Sequence, residues 1–316
     1  MTFVEKLLDP DVKKFVDTLT NTTPIYNLSI PAARKVLNDI QLDTSYKNSV
    51  NIQNIVIENE NVNATIVRPI DNTKKLPFIF YIHGGGWILG NFQTHGRLVS
   101  ELSREADVAV VFINYTPAPE AKYPTQLIQS YDTLVYFYNN AEKYNLDKDN
   151  IIIMGDSVGG NMATVIAMLS LEKSGPKFKY QILLYPVTDV SMKYESVEKY
   201  SAGPWLSEKA MKWYFDAYIE KNQDTSIPSL SPINASSRII NKLPPTLIIV
   251  DENDILRDEG EAYAHKLMQA GVSVDSVRIL GAIHDFMILD PIKSSPPVKL
   301  AKNIIVTQIK HVLNKN

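Results

Sequence analysis

Ile151-Ile-Ile-Met154-Gly155-Asp156-Ser157-Val158-Gly159-Gly160-Asn161-Met-Ala-Thr-Val-Ile-Ala-Met-Leu169 is the stretch on which the fold turns. Its first four residues form an unbroken apolar run, the pattern of a strand buried on both faces in a parallel sheet. The residues from Asn161 onward suit a helix. Between the two lies a Gly-x-Ser-x-Gly turn, which in this strand-turn-helix setting holds its serine in a strained backbone conformation. Residues two positions to either side of that serine must be small, because side chains there would collide across the bend. Gly155 and Gly159 meet the need. The helix that follows aims its first amide groups at Ser157 and favours negative charge there. Taken alone, the pentapeptide also fits a glycine-rich turn that joins a strand to a helix or holds a phosphate, although the Gly-Lys-Ser/Thr ending of a P-loop is missing.

Outward from this stretch, apolar runs at 78–82, 108–113, 182–185, 247–250 and 274–280 alternate with helical patterns, as crossover-connected parallel strands do. Earlier, 52–58 and 62–68 alternate with period two and are joined through Asn59-Glu60-Asn61, which predicts an antiparallel hairpin. Eight strands result. Helical spacing before them, through Val4, Leu7, Leu8, Val12, Phe15, Val16 and Leu19 and then Ala32, Val36, Leu37 and Ile40, predicts two helices. The alternation lapses between Pro186 and Leu243, where one helix is expected from Ser207 to about Lys221. An irregular stretch that long in a compact domain is usually functional, and a lid is the natural reading. After Val298 one helical face carries Ala301, Ile305, Ile309 and Val312, a pattern of core packing.

The second glycine motif, His83-Gly84-Gly85-Gly86-Trp87, follows the strand at 78–82 directly. Three glycines let backbone N–H groups approach a substrate oxygen, the arrangement known for oxyanion-hole loops of lipases and esterases. A serine hydroxyl needs a base. Of the five histidines, His83 belongs to the glycine loop and suits a structural role, while His95, His265 and His311 fall in helices as surface or packing residues. His284 sits in Gly281-Ala-Ile-His284-Asp-Phe, just after the last strand. The orienting acid is expected after the penultimate strand, where Asp251, Glu252, Asp254 and Asp258 compete. Asp251 ends the strand, and Asp258 with Glu259 opens the next helix. Asp254 is the best placed, and Asp156 suits an interior hydrogen-bonding residue.

Composition narrows the classes. The 316 residues are 45% hydrophobic and 21% charged, enough to bury a sizeable core. A net charge of −3 offers no basic excess for nucleic acid. With no cysteine, disulfides, thiolate metal sites and a cysteine nucleophile are all excluded. The N-terminal residues break their apolar positions with charges, unlike a secretion signal, and no segment approaches the about 20 apolar residues of a membrane span. A cytoplasmic protein without stable membrane insertion is expected.

These motifs together resemble the hormone-sensitive-lipase branch of the α/β hydrolases, largely bacterial carboxylesterases. The matching segments are His83-Gly-Gly-Gly-Trp87, Tyr115-Thr-Pro-Ala-Pro-Glu120, Gly155-Asp-Ser-Val-Gly-Gly160, Asp254-Ile-Leu-Arg-Asp-Glu-Gly260 and His284-Asp-Phe286. The resemblance implies an α/β-hydrolase fold, an eight-stranded mostly parallel sheet flanked by helices with a helical cap. It implies a core at 46–189 and 242–316, with cap segments at 1–45 and 190–241. Ser157, Asp254 and His284 are implied as the triad, with the N–H groups of Gly85, Gly86 and Val158 as the oxyanion hole. The implied activity is hydrolysis of short- to medium-chain carboxylic esters, with no metal or organic cofactor. Amide hydrolysis or deacylation by the same triad is the alternative, and a small-molecule receptor on this fold is a more distant one. Trp87, Trp205, Leu206, Trp213, Tyr214 and Phe286 are candidates for an apolar pocket, and relatives leave a homodimer open. The chain departs from the family at Val158, where alanine is usual, and at Thr116-Pro117, where Arg-Leu is common. A β-branched residue beside the nucleophile would tighten the acyl pocket.

Overall fold

The computed structural model describes residues 7–58 and 62–314. Among them, eight strands form one sheet in the order β1-β2-β4-β3-β5-β6-β7-β8. They are β1 (Val50–Ile57), β2 (Val62–Pro69), β3 (Leu76–Ile82), β4 (Ala109–Asn114), β5 (Leu146–Asp156), β6 (Tyr180–Leu184), β7 (Thr246–Asn253) and β8 (Val274–Ile283). β1 and β2 pair antiparallel from Val50↔Pro69 to Ile57↔Val62, and β2 runs antiparallel to β4. The remaining pairs are parallel. The hairpin and the parallel sheet agree with the sequence pattern, while Asn59-Glu60-Asn61 and Val4 lie outside the described residues.

The helices are α1 (Pro10–Thr18), α2 (Ile30–Ile40), α3 (Phe92–Ala106), α4 (Thr125–Asn139), α5 (Val158–Glu172), α6 (Glu195–Lys199), α7 (Glu208–Tyr218), α8 (Ser237–Ile240), α9 (Arg257–Gln269) and α10 (Pro296–Val312). The first connection, β3 to α3 to β4, steps one way across the sheet, and β4 to α4 to β5 steps back past β3. Because such crossovers are right-handed, the reversal puts α3 and α4 on opposite faces. α10 packs with α3, and α5 packs with α4. Both faces are thereby covered, which is why the runs 78–82 and 151–154 are entirely buried. β3 and β5 flank the point where strand order reverses, and in open α/β sheets ligands bind beyond the carboxyl ends of strands at such a point. The glycine loop follows β3, and Ser157 follows β5.

α1 and α2 each begin at a capped turn, with the Asp9 carboxylate accepting from Asp11 N at 2.9 Å and Ser29 Oγ from Ala32 N at 3.4 Å. α2 is clamped to the core by Arg34. Its guanidinium donates to Ile88 O at 2.9 Å, Ala118 O at 3.1 Å and both Glu120 oxygens. The segment Tyr115 to Glu120, whose Ala118 N donates to Trp87 O at 2.8 Å, therefore braces the glycine loop from outside. Among the described residues, no helix is long and apolar enough to cross a membrane.

Candidate active site

Ser157 occupies the turn between β5 and α5 with φ +53° and ψ −121°, a strained region for a residue with a side chain. Surrounding contacts fix it there. Its N–H donates to Leu184 O at 2.8 Å, and its carbonyl accepts from Val187 N at 3.1 Å. A Cβ on Gly159 would lie 2.1 Å from Ile82 O, so only glycine lets β3 and the start of α5 come this close. On the next loop, Gly85 and Gly86 have φ of +97° and +63°. A Cβ on Gly86 would stand 2.1 Å from the Tyr214 ring. Among the described residues, the N–H groups of Gly85, Gly86 and Val158 donate to no backbone carbonyl. They are unspent donors grouped around the serine.

The loops after β7 and β8 bring the other two groups. His284 Nε2 lies 2.9 Å from Ser157 Oγ, and its Nδ1 lies 2.7 Å from Asp254 Oδ2. Asp254 Oδ1 accepts from Leu256 N at 3.0 Å, which fixes the carboxylate. A carboxylate can only accept, so Nδ1 carries a proton and, with the ring neutral, Nε2 faces the hydroxyl as an acceptor. Burial works against the imidazolium, but the carboxylates of Asp254 and Asp285 outweigh it and raise His284 to about 9. The competing acids are engaged elsewhere: Glu252 accepts from Gly281 N and Asp258 from Ser196 N. Asp251 is buried with neither oxygen partnered. Burial, with Asp254 and Asp285 nearby, pushes its carboxyl well above the usual range. Asp251, Asp254 and His284 offer ligand atoms within 4.8 Å of one another. As a metal site this set is handicapped, because Asp254 and His284 bind each other and burial disfavours charge on Asp251.

Two histidines assigned by sequence to structural roles brace the site differently. His83 Nδ1 donates to Gly84 O at 2.8 Å, and its ring stacks on Tyr115 at 4.2 Å. Burial and the nearby His95 lower it to about 3, so it stays neutral. His95 was expected on a surface or in simple packing. It takes the packing alternative, fully buried with Nε2 3.2 Å from Asp156 Oδ2. Asp156 also accepts from Tyr81 OH at 2.8 Å and Gly84 N at 3.1 Å, which ties the base of the glycine loop to the end of β5. Burial alone would raise the Asp156 carboxyl, yet His95 and Tyr81 hold it below its ordinary value.

A cavity of about 830 Å³ opens over Ser157 and His284. Trp205, Leu206 and Tyr214 line it, as expected. Trp87, Trp213 and Phe286 do not. Trp87 has φ +60° and turns away to stack on Tyr218 at 4.1 Å, fully buried. Phe286 packs against Tyr185, and Trp213 lies beside Tyr214 on α7, outside the lining. Val158 is buried and also outside it, so its branched side chain does not narrow the cavity. Leu19, Ile25, Tyr26, Leu28 and Leu37 from the N-terminal segment and Met211 from α7 line the cavity without having been foreseen. So does Asp285, the acid inside the His284-Asp-Phe286 motif.

The sequence pattern of the alpha/beta hydrolase fold family matches residues 79–288. The chain is 57% identical over 309 residues to a putative alpha/beta hydrolase of Acanthamoeba polyphaga mimivirus, covering 98% of this chain and 89% of that one. It is 34% identical over 210 residues to an ethyl acetate hydrolase of Pseudomonas putida, covering 66% of this chain and 65% of that one. The crystal structure of a thermostable esterase from Pseudomonas putida superposes with a TM-score of 0.93 at 35% identity, covering 97% of this chain and 98% of that one.

Proposed function

The chain belongs to the alpha/beta hydrolase fold family, in its hormone-sensitive-lipase-like branch, and from that membership we propose a serine carboxylesterase in which Ser157 is the nucleophile, His284 the general base and Asp254 the acid that orients it. The observation that carries the assignment is the continuous relay from Ser157 Oγ through His284 to Asp254, at 2.9 and 2.7 Å. His284 takes the hydroxyl proton as Oγ attacks the ester carbonyl, and the N–H groups of Gly85, Gly86 and Val158 receive the developing oxyanion. The tetrahedral intermediate collapses as His284 returns the proton to the leaving alcohol. Water activated by the same base then releases the acid from the acyl-enzyme.

Residues 19–37 and the 190–241 insertion form the cap over this site, since both contribute cavity walls. The apolar lining and the ethyl acetate hydrolase among the relatives support short- to medium-chain carboxylic esters as substrates. An alkyl phosphonate with a p-nitrophenyl leaving group tests the reading. It should release one equivalent of nitrophenol and label Ser157, as peptide mass mapping would show. A receptor on the same fold with no activated serine would remain unlabelled, and that outcome would overturn the proposal.

The base must be neutral to act, so kcat/KM should climb with pH and level off only above an inflection close to 9, the value to which His284 is raised. The same shift has a stability consequence of the opposite sign. Because the folded value lies above the ordinary 6.5, the ion pair contributes stability fully below about pH 6.5 and loses it as pH rises through about 9. Initial rates on a neutral ester and thermal midpoints, both taken from pH 6 to 10, would show activity and stability moving in opposite directions.

A further inference from the structure

One carboxylate in the cavity is unused by this chemistry. Asp285 follows His284 in the chain with φ +66°, which turns its side chain into the cavity rather than along the loop. Oδ2 accepts from Trp205 Nε1 at 2.8 Å, so the indole fixes the carboxylate in place. Oδ1 is buried and receives no hydrogen bond, its nearest charged neighbour being His284 Nε2 at 3.5 Å. The other acids and bases that influence it are Asp156, His95 and Asp251. The groups that favour its charge are the His284 and His95 imidazoles and the Trp205 N–H. Of the charged residues lining the cavity, Glu208 is paired with Lys212 and Lys209 is exposed. A buried acceptor without a donor is costly to maintain unless something else requires it.

We propose that Asp285 is a charge filter, excluding esters that carry a negative charge near the scissile bond and confining the enzyme to neutral or cationic esters. The inference rests on Ser157 being the nucleophile. A substrate carboxylate that enters the cavity meets Asp285 where water is largely displaced, and like charges at that range repel strongly. A neutral ester meets no such penalty, and a substrate ammonium would be attracted instead. Burial raises the Asp285 carboxyl, which ionises as pH rises. The filter therefore strengthens as pH rises.

The test compares kcat/KM for matched neutral and anionic esters: dimethyl succinate with monomethyl succinate on the acyl side, and methyl 4-acetoxybenzoate with 4-acetoxybenzoate on the alcohol side. The wild-type protein should prefer the neutral member by about 10²-fold on at least one side, the size expected for like charges about 5 Å apart at an effective dielectric near 20. Asp285→Asn keeps the shape and tolerates the positive φ, and should shrink that preference at least tenfold. It should also move the acid limb of kcat/KM on the neutral ester down by about one pH unit, since one carboxylate beside His284 is gone. A merely structural role for Asp285 would lower all rates together and leave the preference intact. Equal wild-type rates on both members of each pair, a measurement that needs no variant, would overturn the filter. So would an unchanged preference in Asp285→Asn. Ser157→Ala run in parallel separates the two levels: if it is inactive while the preference fails, the filter alone is lost, whereas if it remains active the nucleophile assignment falls as well.

Discussion

Replacing Ser157 by alanine is expected to reduce kcat by roughly 10⁴- to 10⁶-fold on any ester the protein hydrolyses, the range found when a triad nucleophile is removed. Of the oxygens in the cavity, its Oγ lies within hydrogen-bond reach of His284 Nε2, with the N–H groups of the glycine loop beside it. What survives the substitution is binding and oxyanion stabilisation without a nucleophile. The fold should be indifferent. Among the described residues the hydroxyl bonds to His284 and to no other side chain, and the backbone bonds of Ser157 to Leu184 and Val187 need no hydroxyl. Alanine carries the same Cβ through the same strained φ, so the thermal midpoint should hold within about 2 °C, or rise, as when catalytic groups are sacrificed for stability. Rates on p-nitrophenyl butyrate beside a melting curve would check both halves. Activity within tenfold of the wild type in a folded Ser157→Ala protein would rule out a covalent mechanism at this residue.

The parts of the fold that were legible have a common cause. The central stretches of β3 to β7 are buried on both faces and so read as nearly continuous apolar runs, and Gly85, Gly155 and Gly159 at the ends of β3 and β5 are dictated by backbone contact that no other residue permits. β5 extends back to Leu146, five residues before its apolar run, because Leu146 and Asp147 pair with Leu76 and Pro77 ahead of a register shift. The polar residues between Leu146 and that run, Asp147 to Asn150, are half-buried or exposed and give no strand signal. The short helices α6 and α8 escaped for a similar reason, being too brief to show a period.

Side-chain direction was the less legible layer. Trp87 is adjacent to the oxyanion loop in sequence, yet its positive φ sends the indole into the core, a fact no pattern of residue types encodes. Asp285 is the reverse case. An acid beside a histidine in an otherwise apolar loop was a usable signal, but its aim into the cavity depends on a backbone angle and on Trp205 reaching it from 80 residues away. The histidine assignments divide along the same line. His284 was found because its place is set by the end of a strand, whereas the burial of His95 depends on how α3 sits across the sheet.

His95 leads to the second large effect. Asp156→Ala should destabilise the protein by about 3–5 kcal/mol, as expected when several buried donors lose the one carboxylate that accepts from them. Three donors converge on this carboxylate, from Tyr81, Gly84 and His95, and none has water within reach as a substitute, since Tyr81 and His95 are fully buried. The loss should also reach catalysis. Gly84 N is the point at which the glycine loop is fastened to the end of β5, one residue before Gly85 and two before Gly86, so a loosened loop would misplace oxyanion donors that must be correct to within about 0.5 Å. kcat should then fall by about 10- to 100-fold with KM nearly unchanged, somewhat less than the typical effect of deleting an oxyanion donor. Asp156→Asn distinguishes this account from general loss of structure. Its amide oxygen still accepts from Tyr81 and Gly84, and its NH₂ can face His95 Nε2, which accepts in the other tautomer. The asparagine variant should therefore recover most of kcat while remaining less stable than the wild type. Thermal midpoints and kcat for the two variants side by side would show it, and an asparagine variant as catalytically impaired as the alanine one would place the requirement in the charge of Asp156 rather than in its hold on Gly84.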